Sequence, residues 1–384
     1  MPWEEPSIVD RRIEFVKRVE VGEESMLSLC REFSISAKTG YKWLKRYEEE
    51  GRRGLLDQSR LPYSRTQTTG EEQICAIVRL KLQRKSWGPK KIREILKKTQ
   101  PDVVSLSTVN RILKRAGLVE VRSKRRAAHC GRIENRIQAE QPNDVWTVDF
   151  KGYWYSQERK RISPLTVQDA FSRYLLLAEA VPDGRMETVR KSFEWLFERY
   201  GLPKTIRTDN GPPFASVQAP LGLSRLSAWW VSLGINLDRI RPGHPEENGM
   251  HERMHRDLAV EIEAEVSGNV KEQCAALDVW QKIRNEERPH EALGMKVPAE
   301  LYKRSTRKWN RNEKIELQYP LDYLKRQITS SGVISLDGKH IRISEALSGW
   351  QVGMKRIGSL NYSVHFGPLY LGTINLELEE FKPA

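Results

Sequence analysis

The chain has 384 residues, 39% of them hydrophobic, and a formal net charge of +14. That size predicts two to four domains with ordinary cores and excludes a disordered chain; no apolar run approaches the roughly 18 residues of a membrane span, and the N-terminus is too polar for a secretory signal. The basic excess points to a polyanionic partner, nucleic acid first, although a solvated basic surface carries the same sum. Residues 8–20 place Ile8, Ile13, Phe15, Val16 and Val19 at a loosely helical period. A second helix is expected over 25–33, then the turn Ser34-Ile35-Ser36, with Ser36 capping a third helix that runs to Glu50 and stops at Gly51. Helix, three-residue turn and helix is the helix-turn-helix arrangement, whose last helix enters the major groove by its first turns. Lys38, Thr39, Lys42 and Lys45 would face DNA there, with Trp43, Leu44 and Tyr47 packed inward. Gly40 stands where a helix-favouring or β-branched core residue is usual and costs about 1 kcal/mol of helix propensity. The plain alternative is a three-helix bundle with a lysine-rich solvated face; turn length and capping favour DNA.

Residues 57–70 are polar and proline-containing and read as a linker. A second helical unit follows, with helices over 71–84, 89–98 and 107–116. Pro89 suits the first helical position, Ser107 is the expected N-cap of the last helix and Gly117 its stop. That helix offers Thr108, Asn110, Arg111 and Lys114 on its polar side, and Arg122, Lys124, Arg125 and Arg126 form a basic strap that contacts phosphate or stays solvated. Two linked modules would read a longer site than either alone. Cys30, Cys75, Cys130 and Cys274 lack metal-ligand spacing; they read as reduced thiols of an intracellular protein, three of them as core filler.

From residue 141 the pattern alternates. Strands are expected at 145–150, 165–167, 174–181, 204–208 and 236–240, and helices at 187–200 and 224–233, an α/β pattern with a mixed sheet. Asp149 lies on an apolar strand between Val148 and Phe150, where an acid needs a special reason. Asp209 follows the run Thr205-Ile206-Arg207-Thr208, and Asn210-Gly211 supplies a sharp turn that keeps its carboxylate at the rim. Glu252 lies one turn into a helix opening near Asn248, away from the apolar arc of Met254, Leu258 and Ile262, with Arg256 beside it. Three carboxylates from two strands and a helix would make an oxygen cage for a hard cation such as Mg²⁺. Asp169 and Asp238, also strand-associated, read as structural or secondary.

At these residues the segment 141–302 resembles the catalytic core of the aspartate-aspartate-glutamate transposases and retroviral integrases. The matching strings are W-T-V-D-F (146–150), D-A-F-S-R-Y (169–174), T-D-N-G-P-P-F (208–214), H-P-E-E-N-G-M-H-E-R (244–253) and R-P-H-E-A-L-G (288–294). The resemblance implies a ribonuclease-H-like fold, a catalytic and metal-binding triad of Asp149, Asp209 and Glu252, and two Mg²⁺ or Mn²⁺ ions once DNA is bound. It further implies cleavage at the ends of a mobile element followed by strand transfer into target DNA. The expected partners are double-stranded DNA, both ends and target, and further copies of the chain assembled on it, with no membrane; the expected location is cytoplasmic and nucleoid-associated. The 42 residues between Asp209 and Glu252 exceed the family's usual spacing, and the excess is expected in a longer loop around 216–225. The unit at 71–121 resembles the second helix-turn-helix of many insertion-sequence transposases. The stretch 285–302 resembles the family's end-of-core segment, in which Arg288 and His290 either line the DNA path or serve packing.

His251-Glu252-Arg253-Met254-His255 is also literally H-E-x-x-H, the helix signature of zinc proteases, and Glu272 is available as a third ligand. The basic charge, the DNA-reading modules and the independent Asp149 and Asp209 matches weigh against it. A catalytically inactive DNA-binding repressor of the same architecture is the nearer alternative, disfavoured because all three carboxylates are present. Residues 303–331 read as a linker, and short strands at 333–336, 340–343, 350–357, 363–366 and 370–376, with the hairpin signal Asp337-Gly338, suggest a small C-terminal β-barrel for DNA or subunit contacts. The expected chain is therefore multidomain. A helix-turn-helix unit (1–60) leads through a linker (61–70) to a second such unit (71–121) and a basic linker (122–140). An integrase-type α/β core (141–302), a linker (303–331) and the barrel (332–384) complete it.

Overall fold

The computed structural model describes residues 7–58, 69–100, 102–119, 137–182, 184–241, 244–313 and 315–384. It divides into two compact units, Met1–Thr68 and Thr69–Ala384. In the first, helices α1 (Ile8–Val21), α2 (Met26–Glu32) and α3 (Ala37–Glu50) are each opened by a serine hydroxyl, from Ser7, Ser25 and Ser36, that accepts a first-turn backbone N–H. Phe15, Val16, Leu29, Cys30 and Trp43 form its core. Leu55, on a 3-10 turn (Gly51–Leu55) beyond the expected end of α3, closes that core. Arg12 lies 3.9 Å from the centre of the Trp43 ring and donates to the Leu55 carbonyl at 2.8 Å. Gly40 has a packing reason: a Cβ there would come 2.6 Å from Cys30 Sγ and 3.0 Å from Phe15 Cζ. The helices therefore touch where the chain gives up helix propensity. The expectation of three core cysteines is corrected, since Cys75 is exposed and Cys274 half-buried, leaving Cys30 alone buried among the described ones; Cys130 lies outside the described residues.

The second unit begins with α4 (Glu71–Gln83), α5 (Pro89–Thr99) and α6 (Leu106–Arg115), packed through Ile77, Trp87, Ile92, Val109 and Leu113. The N-cap of α6 is Ser105 rather than the expected Ser107: the Ser105 backbone is extended and its hydroxyl accepts from Thr108 N, which starts the helix one residue before Ser107. Two serines two positions apart satisfy the same sequence signal.

The core is a mixed six-stranded sheet. β1 (Val145–Phe150) pairs antiparallel with β3 (Arg161–Asp169), and the two-residue β2 (Trp154–Tyr155) continues along the same edge of β3; β4 (Leu175–Val181) takes its other edge. After α7 (Met186–Tyr200), β5 (Thr205–Thr208) adds parallel to β1; after α8 (Arg225–Ser232), β6 (Asn236–Arg239) adds parallel to β5. One face buries Trp146, Val148, Leu165 and Val167 under α7 and α8, through Phe193, Phe197, Trp229 and Trp230. The other buries Trp154, Ile162 and Leu175 under α9 (Gly249–Leu258) and α10 (Val270–Glu286), through Met254, Leu258, Leu277 and Trp280. The extra loop before α8 holds a short 3-10 turn (Pro220–Gly222) and a bridge between Ala215 and Leu223. The α4–α5 junction lies against the α9–α10 side: Arg84 donates to Glu287 at 2.8 Å, Lys90 to Glu291 at 2.9 Å, and Ser86 to Glu261.

Residues 303–309, expected as a linker, run along the core as a strap. The Arg307 guanidinium donates to the carbonyls of Pro203, Leu233 and Gly234, and its carbonyl accepts from Leu202 N at 2.7 Å. Beyond it, β7 (Leu324–Gln327), β10 (Gln351–Arg356), β11 (Asn361–Phe366), β12 (Leu369–Asn375) and β13 (Glu380–Pro383) pair in the order β13-β12-β11-β10-β7. Between β7 and β10, β8 (Val333–Leu336) and β9 (Lys339–Arg342) form a separate hairpin across Asp337-Gly338. Among the described residues no ladder joins β13 to β7 and no closed barrel is found; the region is a five-stranded antiparallel sheet plus a hairpin. Its core includes Leu223, Ala228 and Val231, so α8 serves the sheets on both sides of it.

Replacing Gly40 by Ala should destabilise α3 by about 1–3 kcal/mol through overpacking against Cys30 and Phe15. Amide hydrogen exchange within α3 of the full chain measures this; slower exchange, as expected for Gly to Ala in an open helix, would contradict the packing account.

Candidate active site

Asp149 sits near the end of β1, and Asp209 is the first residue after β5. The parallel register pairs Val145 with Thr205 and Thr147 with Arg207. Carried two residues further, it sets Asp149 level with Asp209. Glu252 lies in the first turn of α9, just after the Pro245–Asn248 turn. Around Asp209 the expected sharp turn forms: Gly211 N donates to Asp209 Oδ1 at 3.2 Å, and the Asn210 amide donates to the Ile240 carbonyl at 2.6 Å.

The three carboxylates share one electrostatic environment. Loss of water raises the half-buried Asp149 carboxyl, and the charges of Asp209 and then Glu252 raise it further. Donors from the Phe150 backbone and the Asn248 amide, the latter at 3.0 Å, oppose the shift, and the group is pushed up to about 7. Asp209 and Glu252 are exposed. An all-carboxylate donor set suits a hard divalent cation, which would also relieve the repulsion on Asp149. Among the described residues no three His, Cys, Asp or Glu side chains stand close enough to ligate one ion. The carboxylates therefore share a field without forming a closed ligand cage.

The two histidines beside Glu252 turn into the sheet. His251 is fully buried, with Nδ1 2.9 Å from Thr147 Oγ1 and Nε2 2.7 Å from Thr166 Oγ1. His255 Nε2 is 2.8 Å from the same Thr166 hydroxyl, and its Nδ1 is 3.9 Å from Asp149 Oδ2. Burial pushes the His255 ring down to about 3, helped by the charges of Lys151 and Arg284. It holds His251 well below its ordinary value, with His255 and Arg284 adding to the effect. His251 and His255 are both buried on α9 with Met254 and Leu258. Glu272, the candidate third zinc ligand, instead accepts from Gly268 N at 3.1 Å and from the Asn269 amide at 2.9 Å at the start of α10. A zinc-protease site needs an open coordination position, and these imidazoles are closed in against threonine hydroxyls.

Residues 139–245 and 233–298 each match the family described as integrase core domain. The chain carries an integrase core domain. Ahead of it, residues 11–63 match a helix-turn-helix domain and residues 39–113 a homeodomain-like domain. The chain is 26% identical over 249 residues to the insertion element IS407 uncharacterized 31.7 kDa protein of Burkholderia multivorans, covering 64% of this chain and 86% of that protein. It is 28% identical over 239 residues to the insertion element IS476 uncharacterized 39.2 kDa protein of Xanthomonas euvesicatoria, covering 58% of this chain and 62% of that one. Among solved structures, the HTLV-2 integrase catalytic core domain in complex with magnesium aligns with 43% of this chain and 100% of its own, at 15% identity and a TM-score of 0.34.

Other acids and bases of the integrase core do structural work. Asp169 is fully buried and accepts from Asn143 N, Ser172 N and the Ser172 hydroxyl at 2.7–2.8 Å, tying the turn after β3 to the start of β1. Asp238 takes the Arg207 guanidinium at 2.7 Å. Arg288 is buried against Asp257 at 2.7 Å and Glu261 at 3.7 Å, in keeping with packing, and burial holds the half-buried His290 ring well below its ordinary value. Asn248, Thr147 and Thr166 were missed from the sequence. The only signal for the threonines is their polarity on otherwise apolar strands.

Of the candidate DNA contacts, Lys38, Lys42, Lys45, Arg111, Lys114 and Arg256 are exposed. Lys42 Nζ lies 4.7 Å from the centre of the Trp43 ring, and Lys45 lies 3.8 Å from Glu49. Thr39, Thr108 and Asn110 are half-buried; the Thr39 hydroxyl is 2.8 Å from that of Ser36, and the Thr108 hydroxyl 3.1 Å from that of Ser105. Arg122, Lys124, Arg125 and Arg126 lie outside the described residues.

The folded-state carboxyl of Asp149, near 7 against an ordinary 3.8, makes the cation-free fold lose stability as pH rises from about 4 to 7. Asp149→Asn should therefore raise the melting temperature of cation-free protein by on the order of 2–4 °C at pH 8, with the gain vanishing near pH 4. A pH-independent difference, or a loss at pH 8, would refute the raised Asp149 carboxyl.

Proposed function

We propose that the chain is a transposase that binds the ends of its mobile element and catalyses divalent-metal-dependent DNA cleavage and strand transfer. One observation carries this reading: in an integrase core, Asp149 near the end of β1, Asp209 just after β5 and Glu252 on α9 stand near enough that burial, and then the charges of Asp209 and Glu252, push the Asp149 carboxyl up to about 7. Asp149, Asp209 and Glu252 would hold two Mg²⁺ or Mn²⁺ ions with DNA bound. Such ions activate a water or 3′-hydroxyl and stabilise the leaving oxygen of an in-line displacement. The chain's own residues bind and orient. Asn248 holds the Asp149 carboxylate from α9, the Asn210-Gly211 turn keeps Asp209 at the rim, and exposed Arg256 faces phosphate one turn beyond Glu252.

The division of labour follows. Lys38, Thr39, Lys42 and Lys45 on α3, with Thr108, Asn110, Arg111 and Lys114 on α6, read the element's ends, and the basic stretch 122–126 grips phosphate. The working form is an oligomer on DNA, associated with the nucleoid. Both insertion-element relatives support a mobile-element origin. A repressor of the same architecture would have no need to crowd three carboxylates at the sheet's end.

Asp149→Asn, Asp209→Asn and Glu252→Gln should each reduce strand transfer with the element's own ends to background while leaving specific end binding intact. Full activity in any one variant removes that residue from the site. Lys42→Ala and Arg111→Ala should each weaken end binding by about 1–3 kcal/mol if they reach base edges, or lower the salt slope by about one if they reach phosphate. Unchanged affinity and unchanged slope in both variants would move recognition elsewhere.

A further inference from the structure

The H-E-x-x-H string leaves two buried histidines that the proposed chemistry does not use, and they converge on one hydroxyl. Thr147 Oγ1 donates to the Gln168 carbonyl at 3.2 Å, so it accepts from His251 Nδ1–H at 2.9 Å. A neutral His251 then presents a bare Nε2 to Thr166 Oγ1 at 2.7 Å. The single Thr166 hydrogen is shared between that nitrogen and the backbone carbonyl of Asp149, 2.9 Å away, while its oxygen accepts from His255 Nε2–H at 2.8 Å. One side chain on β3 therefore ties both histidines of α9 to the peptide that carries Asp149. Asn248, His251 and His255 stand at positions i, i+3 and i+7, a single helical stripe, with Asn248 on Asp149 Oδ2 at 3.0 Å. Glu252 projects off the stripe into solvent.

We propose that His251, Thr166 and His255 form a buried hydrogen-bond lock that fixes the separation between Asp149 and Glu252, making all three positioning residues for the cation site. This rests on the transposase reading of the three carboxylates. Apolar side chains would pack α9 equally well. The polar alternative costs desolvation and is tolerated because every member finds a partner. It adds direction: hydrogen bonds fix both the rotation of α9 about its axis and its slide along β1, which apolar contact leaves loose. The rotation decides where Glu252 points, and the slide decides how far it stands from Asp149. Partners one step behind metal ligands affect cation affinity even though they never touch the ion.

The test is Mn²⁺ binding to the full-length, DNA-free chain, followed by the loss of the free-ion electron paramagnetic resonance signal, with thermal unfolding run alongside. Thr166→Val keeps the shape and removes the hydroxyl; Thr166→Ser keeps the hydroxyl. The lock predicts that the valine variant, folded at the assay temperature, loses about tenfold or more in Mn²⁺ affinity, while the serine variant stays within about twofold of the parent. If valine at this position prevents folding, His255→Gln, which can still donate to Thr166, against His255→Leu gives the same contrast. A valine or leucine variant that binds Mn²⁺ like the parent overturns the lock. So does a serine or glutamine variant that loses as much as its apolar counterpart. Asp149→Asn separates the two levels. If it loses Mn²⁺ while the lock variants do not, only the lock fails; if it retains Mn²⁺, the carboxylate reading fails and the lock with it.

Discussion

Asp149 is desolvated by the strand that carries it and crowded by Asp209 and Glu252. A lone carboxylate in such a place would be replaced or neutralised, and here the group sits near neutrality in the absence of a cation. The rest of the core is arranged around that tension. β1 is paired antiparallel to β3 through Asp149 and parallel to β5 through Val145–Thr147, which fixes the strand that carries Asp149. The parallel register brings Asp209 level with it, and α9 is drawn against β1 and β3 by Asn248, His251 and His255. The arrangement sets up repulsion that a divalent cation is suited to relieve.

Much of this was legible in the sequence because the relevant signals are local. The β-branched and aromatic runs marked β1 and β5. The cap at Ser36 marked α3, and Asn210-Gly211 marked the turn that holds Asp209. Asp149 stood out because an acid in an apolar strand is expensive unless it has a task. The partners of the site were not legible. Thr147 and Thr166 acquire meaning only once β1 and β3 pair, with Asp149 opposite Thr166 across 17 residues of chain. His255 stood out only as part of H-E-x-x-H, and its burial depends on how far α9 is rotated against the sheet. Gly40 looked like a local defect because its reason, the Cys30 and Phe15 side chains, comes from other helices.

The C-terminal region shows the same limit on a larger scale. Alternating strands and a hairpin turn predict an antiparallel sheet, but whether its edges close into a barrel depends on strand tilt and stagger, which alternation does not encode. Here no ladder closes the sheet, and its apolar face is covered by the β8–β9 hairpin, through Ile334, Leu336 and Ile341, together with α8, whose Ala228 and Val231 face it while Leu226, Trp229 and Trp230 face the integrase core. A helix apolar on two sides is the sequence trace of that arrangement. The strap at 303–309 read as a linker from its charge. Yet Arg307 caps three carbonyls of the core, a role that only a folded neighbour reveals.

The most direct measurement of the central claim is the anomalous diffraction of Mn²⁺ in crystals of the full chain. The account predicts manganese bound by Asp149 and Asp209, with Glu252 drawn in from α9, and no metal on His251 or His255. Manganese bound elsewhere with the three carboxylates bare, or a zinc ion held between His251 and His255, would contradict it.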